Sequence, residues 1–227
     1  MAELHVVRAP LIDYERCLEW QNTLVAARQR DLIPDVLLAV THPPVYTAGK
    51  HADLAKNVTG LRPDIPVVPI DRGGDVTYHG PGQVVAYPIM KRGRRGVAKA
   101  HVEAMEEAVI RVCADLGVTA FRRPEYPGVW VDTNEPFPAK ICAVGVRITE
   151  GVTKHGLAFN VAVNRDDYAG IIPCGITEGT VTSLDALGVD IHLEIAREMI
   201  IDTLGETLNG YLIPGNLDDL FDAAQGV

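Results

Sequence analysis

Cys174 stands between Pro173 and Gly175, a setting that puts a thiol on a loop where it can meet a substrate. A nucleophilic cysteine needs a neighbouring base or cation to raise its thiolate fraction. His79, His155 and Lys140 are available for that task. Lys140 opens an otherwise apolar strand after Pro138 and Ala139, where the plain alternative is a solvated strand end. A lysine pressed into an apolar pocket gives up its proton more readily and can act as a base near neutral pH. The spacing leaves open which of the three lies beside Cys174. The other cysteines read as packing residues. Cys17 and Cys113 fall inside predicted helices, and Cys142 lies in a strand with Val144, Val146 and Ile148.

The second group of chemistry-bearing residues is Arg72 to Ile89, RGGDVTYHGPGQVVAYPI. Clustered glycines let a ligand or another chain approach the backbone closely. A plain hairpin would satisfy the glycines, but it does not require Arg72, Tyr78, His79 and Gln83 among them. Predicted strands at Val67 to Asp71 and Val84 to Ile89 flank the segment, so its polar side chains stand on a strand–loop–strand frame suited to a ligand site. The seven histidines show no HExxH spacing, which argues against a metal site. There is no GxxxxGK[ST] loop, and a strand rather than a helix follows the glycines, which argues against a dinucleotide fold.

The elements that must position these residues can be read in order. A strand at Leu4 to Val7 precedes a helix from Tyr14 to about Arg30 capped by Asp13. Asp35 to Thr41 reads as a buried strand, and a stiff turn and short strand follow at His42 to Gly49. Residues 50–66 read as an irregular excursion. Val97 to Leu116 has helical periodicity, with Gly117 at its C-cap. Gly128 to Asp132 is a strand, and Lys140 to Thr149 with Gly156 to Val163 form an antiparallel hairpin. Helices close the chain at His192 to Leu208 and Asp218 to Ala224. The pattern predicts one α+β domain over residues 1–227, with a mainly antiparallel or mixed sheet flanked by helices.

Bulk composition agrees. Hydrophobic residues make up 47% and charged residues 22%, as in ordinary globular proteins. A formal net charge of −9 argues against nucleic-acid binding. No apolar run approaches a membrane span and MAELHVVRAP lacks a secretory pattern, so a cytoplasmic chain with free thiols is expected. Lys91, Arg92, Arg94 and Arg95 form the densest basic group. They follow the strand leaving the glycine segment and so are expected near the mouth of the site, as a docking patch for an acidic partner.

Five blocks, THPPVYTAGK (Thr41 to Lys50), RGGDVTYHGPGQVVAYPI, AKICAVGVRI (Ala139 to Ile148), KHGLAFNV (Lys154 to Val161) and PCGI (Pro173 to Ile176), together resemble the lipoyl(octanoyl) transferases, or lipoate-protein ligase B family. The resemblance implies a fold shared with biotin and lipoate ligases and with the class II aminoacyl-tRNA synthetase catalytic domain. It implies octanoyl transfer, as a cysteine acyl-thioester, from acyl carrier protein to a lysine of lipoyl domains, the first step of endogenous protein lipoylation. Cys174 is then the nucleophile and Lys140 its activator. Substrate contacts fall on Arg72, Gly73, Gly74, Asp75, Val76, Thr77, Tyr78 and His79, on Ala143, Val144 and Gly145, and on Gly156, Leu157 and Ala158. Cys142 stands where the family often has a small apolar residue. Two positions from Lys140 on a strand, it is expected on the same face. The implied acceptors are lipoyl domains of 2-oxoacid dehydrogenase E2 subunits and glycine cleavage H protein. No cofactor is implied, because the donor arrives on the phosphopantetheine of acyl carrier protein, and a monomer is expected. An ATP-dependent lipoate or biotin-type ligase and a non-catalytic carrier-binding module are the alternatives on the same fold.

Overall fold

The computed structural model describes residues 1–58, 60, 62–93, 97–171 and 179–225. Cys174, Arg94 and Arg95 therefore lie outside the described residues. The strands β1 (Ala2–Ala9), β2 (Asp35–Val40), β6 (Gln83–Ile89), β7 (Ala120–Arg123), β8 (Tyr126–Val131), β9 (Ala139–Thr149), β10 (Val152–Asn160) and β12 (Gly210–Pro214) build the main sheet. Its order is β12-β1-β2-β6-β10-β9-β8-β7, with β11 (Thr180–Val181) paired to β9. A smaller sheet joins β3 (Val45–Ala48), β4 (Val67–Pro69) and β5 (Val76–His79) in the order β4-β3-β5. Helices α1 (Tyr14–Gln29), α2 (Leu54–Asn57), α3 (Val97–Asp115), α4 (Leu193–Thr207) and α5 (Leu217–Gln225), with short 3-10 turns at Arg165–Tyr168 and Asp185–Leu187, complete the described elements.

The central strands are continuous apolar runs because both of their faces are covered. Leu37, Ala39, Val84, Ala86, Leu157 and Phe159 point into a core shared with Met105, Val109 and Val112 of α3 and Ile200, Ile201 and Leu204 of α4. Their neighbours Val36, Leu38, Val40, Val85, Tyr87 and Ala158 point the other way, onto Cys17, Leu24 and Val25 of α1 and Leu220 of α5. The period of two along each strand divides the apolar residues between these two cores.

The α+β expectation with a mixed sheet holds. β1 runs parallel to both β2 and β12, while β2–β6, β6–β10, β10–β9 and β9–β8 are antiparallel. The Asp13 carboxylate accepts from the Arg16 amide at 3.1 Å, so the predicted cap of α1 is formed. The predicted hairpin is β9–β10, turning at Glu150 and Gly151, both at positive φ (49° and 84°) as a tight two-residue turn requires. The boundaries need correction: β10 spans Val152–Asn160 rather than Gly156 to Val163, and β7 and β12 fall where no strand was expected. The segment read as a single loop between two strands contains β5, and it passes from the small sheet to the main one at Gly80–Gly82.

Candidate active site

Gly145 of β9 and Gly156 of β10 are direct cross-strand partners, so the sheet carries no side chains at that step. The Arg72–Gly73 segment fills the notch. A Cβ at Gly145 would lie 3.0 Å from Arg72 Cδ and 3.3 Å from the Gly73 carbonyl oxygen, and one at Gly156 would lie 2.0 Å from the Ala86 carbonyl oxygen. Bare backbone at Gly145 therefore admits the glycine segment, and at Gly156 it lets β6 lie close to β10. Arg72 is itself buried, donating from Nη2 to the Thr47 carbonyl and hydroxyl, each at 3.0 Å. The Gly73 amide donates to the Val146 carbonyl at 3.2 Å.

A cavity opens on this notch. Arg72, Gly73, Gly74, Thr77, His79, Ala143, Val144, Gly145, Gly156, Leu157 and Ala158 all line it, together with Tyr14, Tyr87 and His155. Strand parity explains the predicted residues that do not. Along β5, Thr77 and His79 face the cavity, whereas Val76 and Tyr78 face a third core with Tyr46, Ile65 and Tyr168. The Tyr78 hydroxyl donates to Asp167 at 2.7 Å, and burial pushes its pKa up. Val76 and Tyr78 are thus supports of the site. Asp75 lines a second cavity of about 450 Å³, which shares Gly73, Gly74, Val144 and Gly145 with the first. Two adjoining chambers result.

Lys140 lines the second chamber and is 4% exposed. Its Nζ donates to the Pro127 carbonyl at 3.1 Å and sits 4.7 Å from the centroid of the Trp130 ring. Its strand is held by β11: Thr180 and Val181 pair with Ala139 and Lys140, and the Thr182 amide donates to the Lys140 carbonyl at 3.0 Å. Cys142 does not share Lys140's setting. Val129 pairs with Cys142 and Trp130 with Lys140, leaving Ile141 as an extra residue that interrupts the alternation on which the same-face expectation rested. Cys142 is fully buried beside Cys113 and Met105, and burial pushes its thiol pKa up.

Four imidazoles are buried around the first chamber and α3. His79 Nδ1 donates to Gln83 Oε1 at 2.9 Å, and its ring stacks on Tyr14. Burial, then His42, lowers its pKa to about 3. His42 donates from Nδ1 to the Ile12 carbonyl at 2.8 Å and accepts the Tyr87 hydroxyl at Nε2, 2.9 Å away; burial lowers its pKa to about 4. His155, at φ 62°, donates from Nε2 to Asp71 at 2.8 Å, and burial lowers its pKa to about 4. Burial raises the Asp71 pKa, but hydrogen bonds from Lys154 and His155 outweigh that and bring it to about 2. His101 of α3 has both ring nitrogens buried without partners among the described residues, and burial lowers its pKa to about 4.

Tyr14 and Tyr87 were not foreseen as site residues. A signal for Tyr87 did exist, since a phenol inside an otherwise apolar strand needs a partner for its hydroxyl. Of the basic group only Lys91 and Arg92 are described. Lys91 pairs with Asp31, and Arg92 is half-buried, donating to the Leu208 carbonyl at 2.8 Å. Both lie at the β9–β10 turn, where the Arg92 amide donates to the Gly151 carbonyl at 2.8 Å. That turn is nine residues along β9 from Lys140, about 30 Å. The strand leaving the glycine segment carries them away from Lys140.

Among the described residues no three or more His, Cys, Asp or Glu side chains are grouped to hold a metal ion, and no helix is long and apolar enough to cross a membrane. Residues 13–205 match the family described as the lipoyl protein ligase A/B catalytic domain. The chain is 41% identical over 211 residues to the octanoyltransferase of Acidothermus cellulolyticus, covering 92% of each chain. Its fold resembles the bi-partite lipoate protein ligase of Thermoplasma acidophilum (TM-score 0.67, 17% identity, 96% of this chain and 89% of that one). It also resembles lipoate-protein ligase A bound with ATP (TM-score 0.64, 17% identity, 96% and 92%).

Proposed function

Because the chain belongs to the lipoyl protein ligase A/B catalytic domain family, we propose that it is an octanoyltransferase that modifies lysines of lipoyl domains. The observation that carries the reading is the pair of adjoining chambers. One is lined by the glycine segment and the two bare strands, and the other by a buried lysine amine. The first chamber, about 40 Å³ in volume, widens to take the octanoyl tail, and the reacting carbonyl lies toward Lys140. Burying a tail of about six methylenes is worth roughly 5 kcal/mol at about 0.8 kcal/mol each.

The donor is octanoyl acyl carrier protein, whose thioester is already activated, so the reaction requires no ATP. Lys140 takes the Cys174 thiol proton, and the thiolate adds to the thioester carbonyl. The tetrahedral adduct collapses with loss of the phosphopantetheine sulfur, which receives the proton from Lys140. The enzyme then carries an octanoyl thioester. A lipoyl-domain lysine enters as the free amine and attacks that carbonyl, passing a proton to Lys140, and the Cys174 sulfur leaves as an amide forms. Both adducts carry an oxyanion. The Gly73 amide is already bonded to Val146 and the Gly145 amide faces its ladder partner Gly156 in β10, which leaves the amide of Gly74 as the proposed donor. Cys174 is assigned from its PCGI block alone. Its segment adjoins Thr180, which pairs with the strand of Lys140.

The shared fold does not separate this reading from an ATP-dependent ligase. Incubation with ATP, free octanoate and a lipoyl domain does. The transferase reading predicts no octanoylated lipoyl domain until octanoyl acyl carrier protein is supplied. Product from ATP and octanoate alone would reject it.

A further inference from the structure

The chamber proposed to hold the acyl tail has a far wall, and behind the wall lies more space. Tyr14 lines this chamber and also a separate cavity of about 300 Å³. The rear cavity is walled by Pro43, Pro44, Val45, Ile65, Pro66 and Val68. Its polar residues, Asp13, Glu15 and Asp64, are acidic. The cavity is a cleft whose floor of Pro43, Val45, Ile65 and Val68 suits hydrocarbon, while the exposed acidic residues at its rim repel a carboxylate. The partition is rigid. Tyr14 is the first residue of α1, 3% exposed, with its ring stacked on His79 at 5.6 Å and 19° and set edge-on to His42 at 5.0 Å.

We propose that Tyr14 is the specificity-determining residue for acyl length, its ring ending the tail chamber and shutting off the rear cavity from longer saturated chains. The inference rests on the assignment of the first chamber to the acyl tail. Lys140 lines the other chamber, and the two meet at Gly73, Gly74, Val144 and Gly145. A chain whose carbonyl lies near Lys140 therefore runs its methyl end toward Tyr14 and Tyr87. Removing the ring joins the tail chamber to the rear cavity. Each further methylene that is then buried is worth about a four-fold gain in kcat/KM.

The test compares octanoyl, decanoyl and dodecanoyl acyl carrier protein as donors to a lipoyl domain, for the wild type and three variants. Tyr14→Ala is expected to raise the dodecanoyl-to-octanoyl ratio of kcat/KM at least ten-fold. Tyr14→Leu, which fills more of the space and carries the test if the alanine variant does not fold, should shift the preference toward decanoyl. Tyr14→Phe keeps the ring and should keep the octanoyl preference, which separates the wall from the hydroxyl. Wild-type ranking of the three donors in both Tyr14→Ala and Tyr14→Leu would overturn the proposal while leaving octanoyl transfer standing. A wild type inactive with all three donors would instead remove the functional reading, and this inference with it.

Discussion

Lys140 Nζ lies 4.7 Å from the centre of the Trp130 indole, and the Arg123 guanidinium lies 4.9 Å from the same ring. Trp130 is 1% exposed and fixed by its own Nε1 donating to the Tyr126 carbonyl at 3.0 Å. Once Lys140 has taken a proton, its cation over the desolvated ring gains of the order of 2 kcal/mol, which holds the side chain in place through the step. Trp130 is therefore a positioning residue for Lys140. Trp130→Leu should lower kcat at least ten-fold with a smaller change in the KM for octanoyl donor, and Trp130→Phe should recover most of the loss. If the two variants lose activity equally, in proportion to their loss of thermal stability, the ring acts only as packing.

A base at Lys140 can be told from a fixed positive charge. Arginine keeps the charge but does not release its proton at working pH. Lys140→Arg should thus be nearly as damaging as Lys140→Ala, each losing about 10²-fold or more in kcat/KM, the usual scale of general acid–base catalysis. Turnover by the arginine variant within a few-fold of wild type would assign Lys140 a purely electrostatic part.

The buried imidazoles make a prediction about acid. His42, His101 and His155, with pKa values near 4, and His79, near 3, bind fewer protons folded than unfolded between those values and about pH 6.5. Their stabilisation is complete above about pH 6.5 and declines as pH falls, by about 1.4 kcal/mol per pH unit for each imidazole. Asp71, lowered to about 2, loses its contribution only below about pH 4. Urea unfolding should give a clearly lower midpoint at pH 5 than at pH 7, and His101→Leu should reduce that difference by about one proton's worth. Equal midpoints at the two pH values would show that the imidazoles are not buried as neutral groups.

Most of the fold was legible because the central strands are apolar on both faces and the helices carry periodic stripes and caps. The antiparallel pairing of the strands that carry Lys140 and Gly156 was legible, but not its register, because β10 begins at Val152 and closes a two-residue turn. What escaped depends on relations that local pattern does not carry. β5 hid between glycine clusters because its Val76 and Tyr78 serve a different core from Thr77 and His79. The extra residue Ile141 defeated simple alternation and separated Lys140 from Cys142. Tyr14 reads as the first residue of a helix, and only the packing of α1 across the sheet brings it to the end of the chamber. Lys91 and Arg92 adjoin the glycine segment's strand in sequence yet sit at the far turn, because a strand separates its two ends in space.

The central claim is a covalent octanoyl-enzyme on Cys174, and intact-mass measurement after exposure to octanoyl acyl carrier protein, without acceptor, tests it most directly. The account predicts one octanoyl adduct on the wild type and on Cys142→Ala, discharged when a lipoyl domain is added. No adduct should form on folded Cys174→Ser or Cys174→Ala. A normal adduct on Cys174→Ala, or its loss in Cys142→Ala alone, would contradict the assignment of the nucleophile.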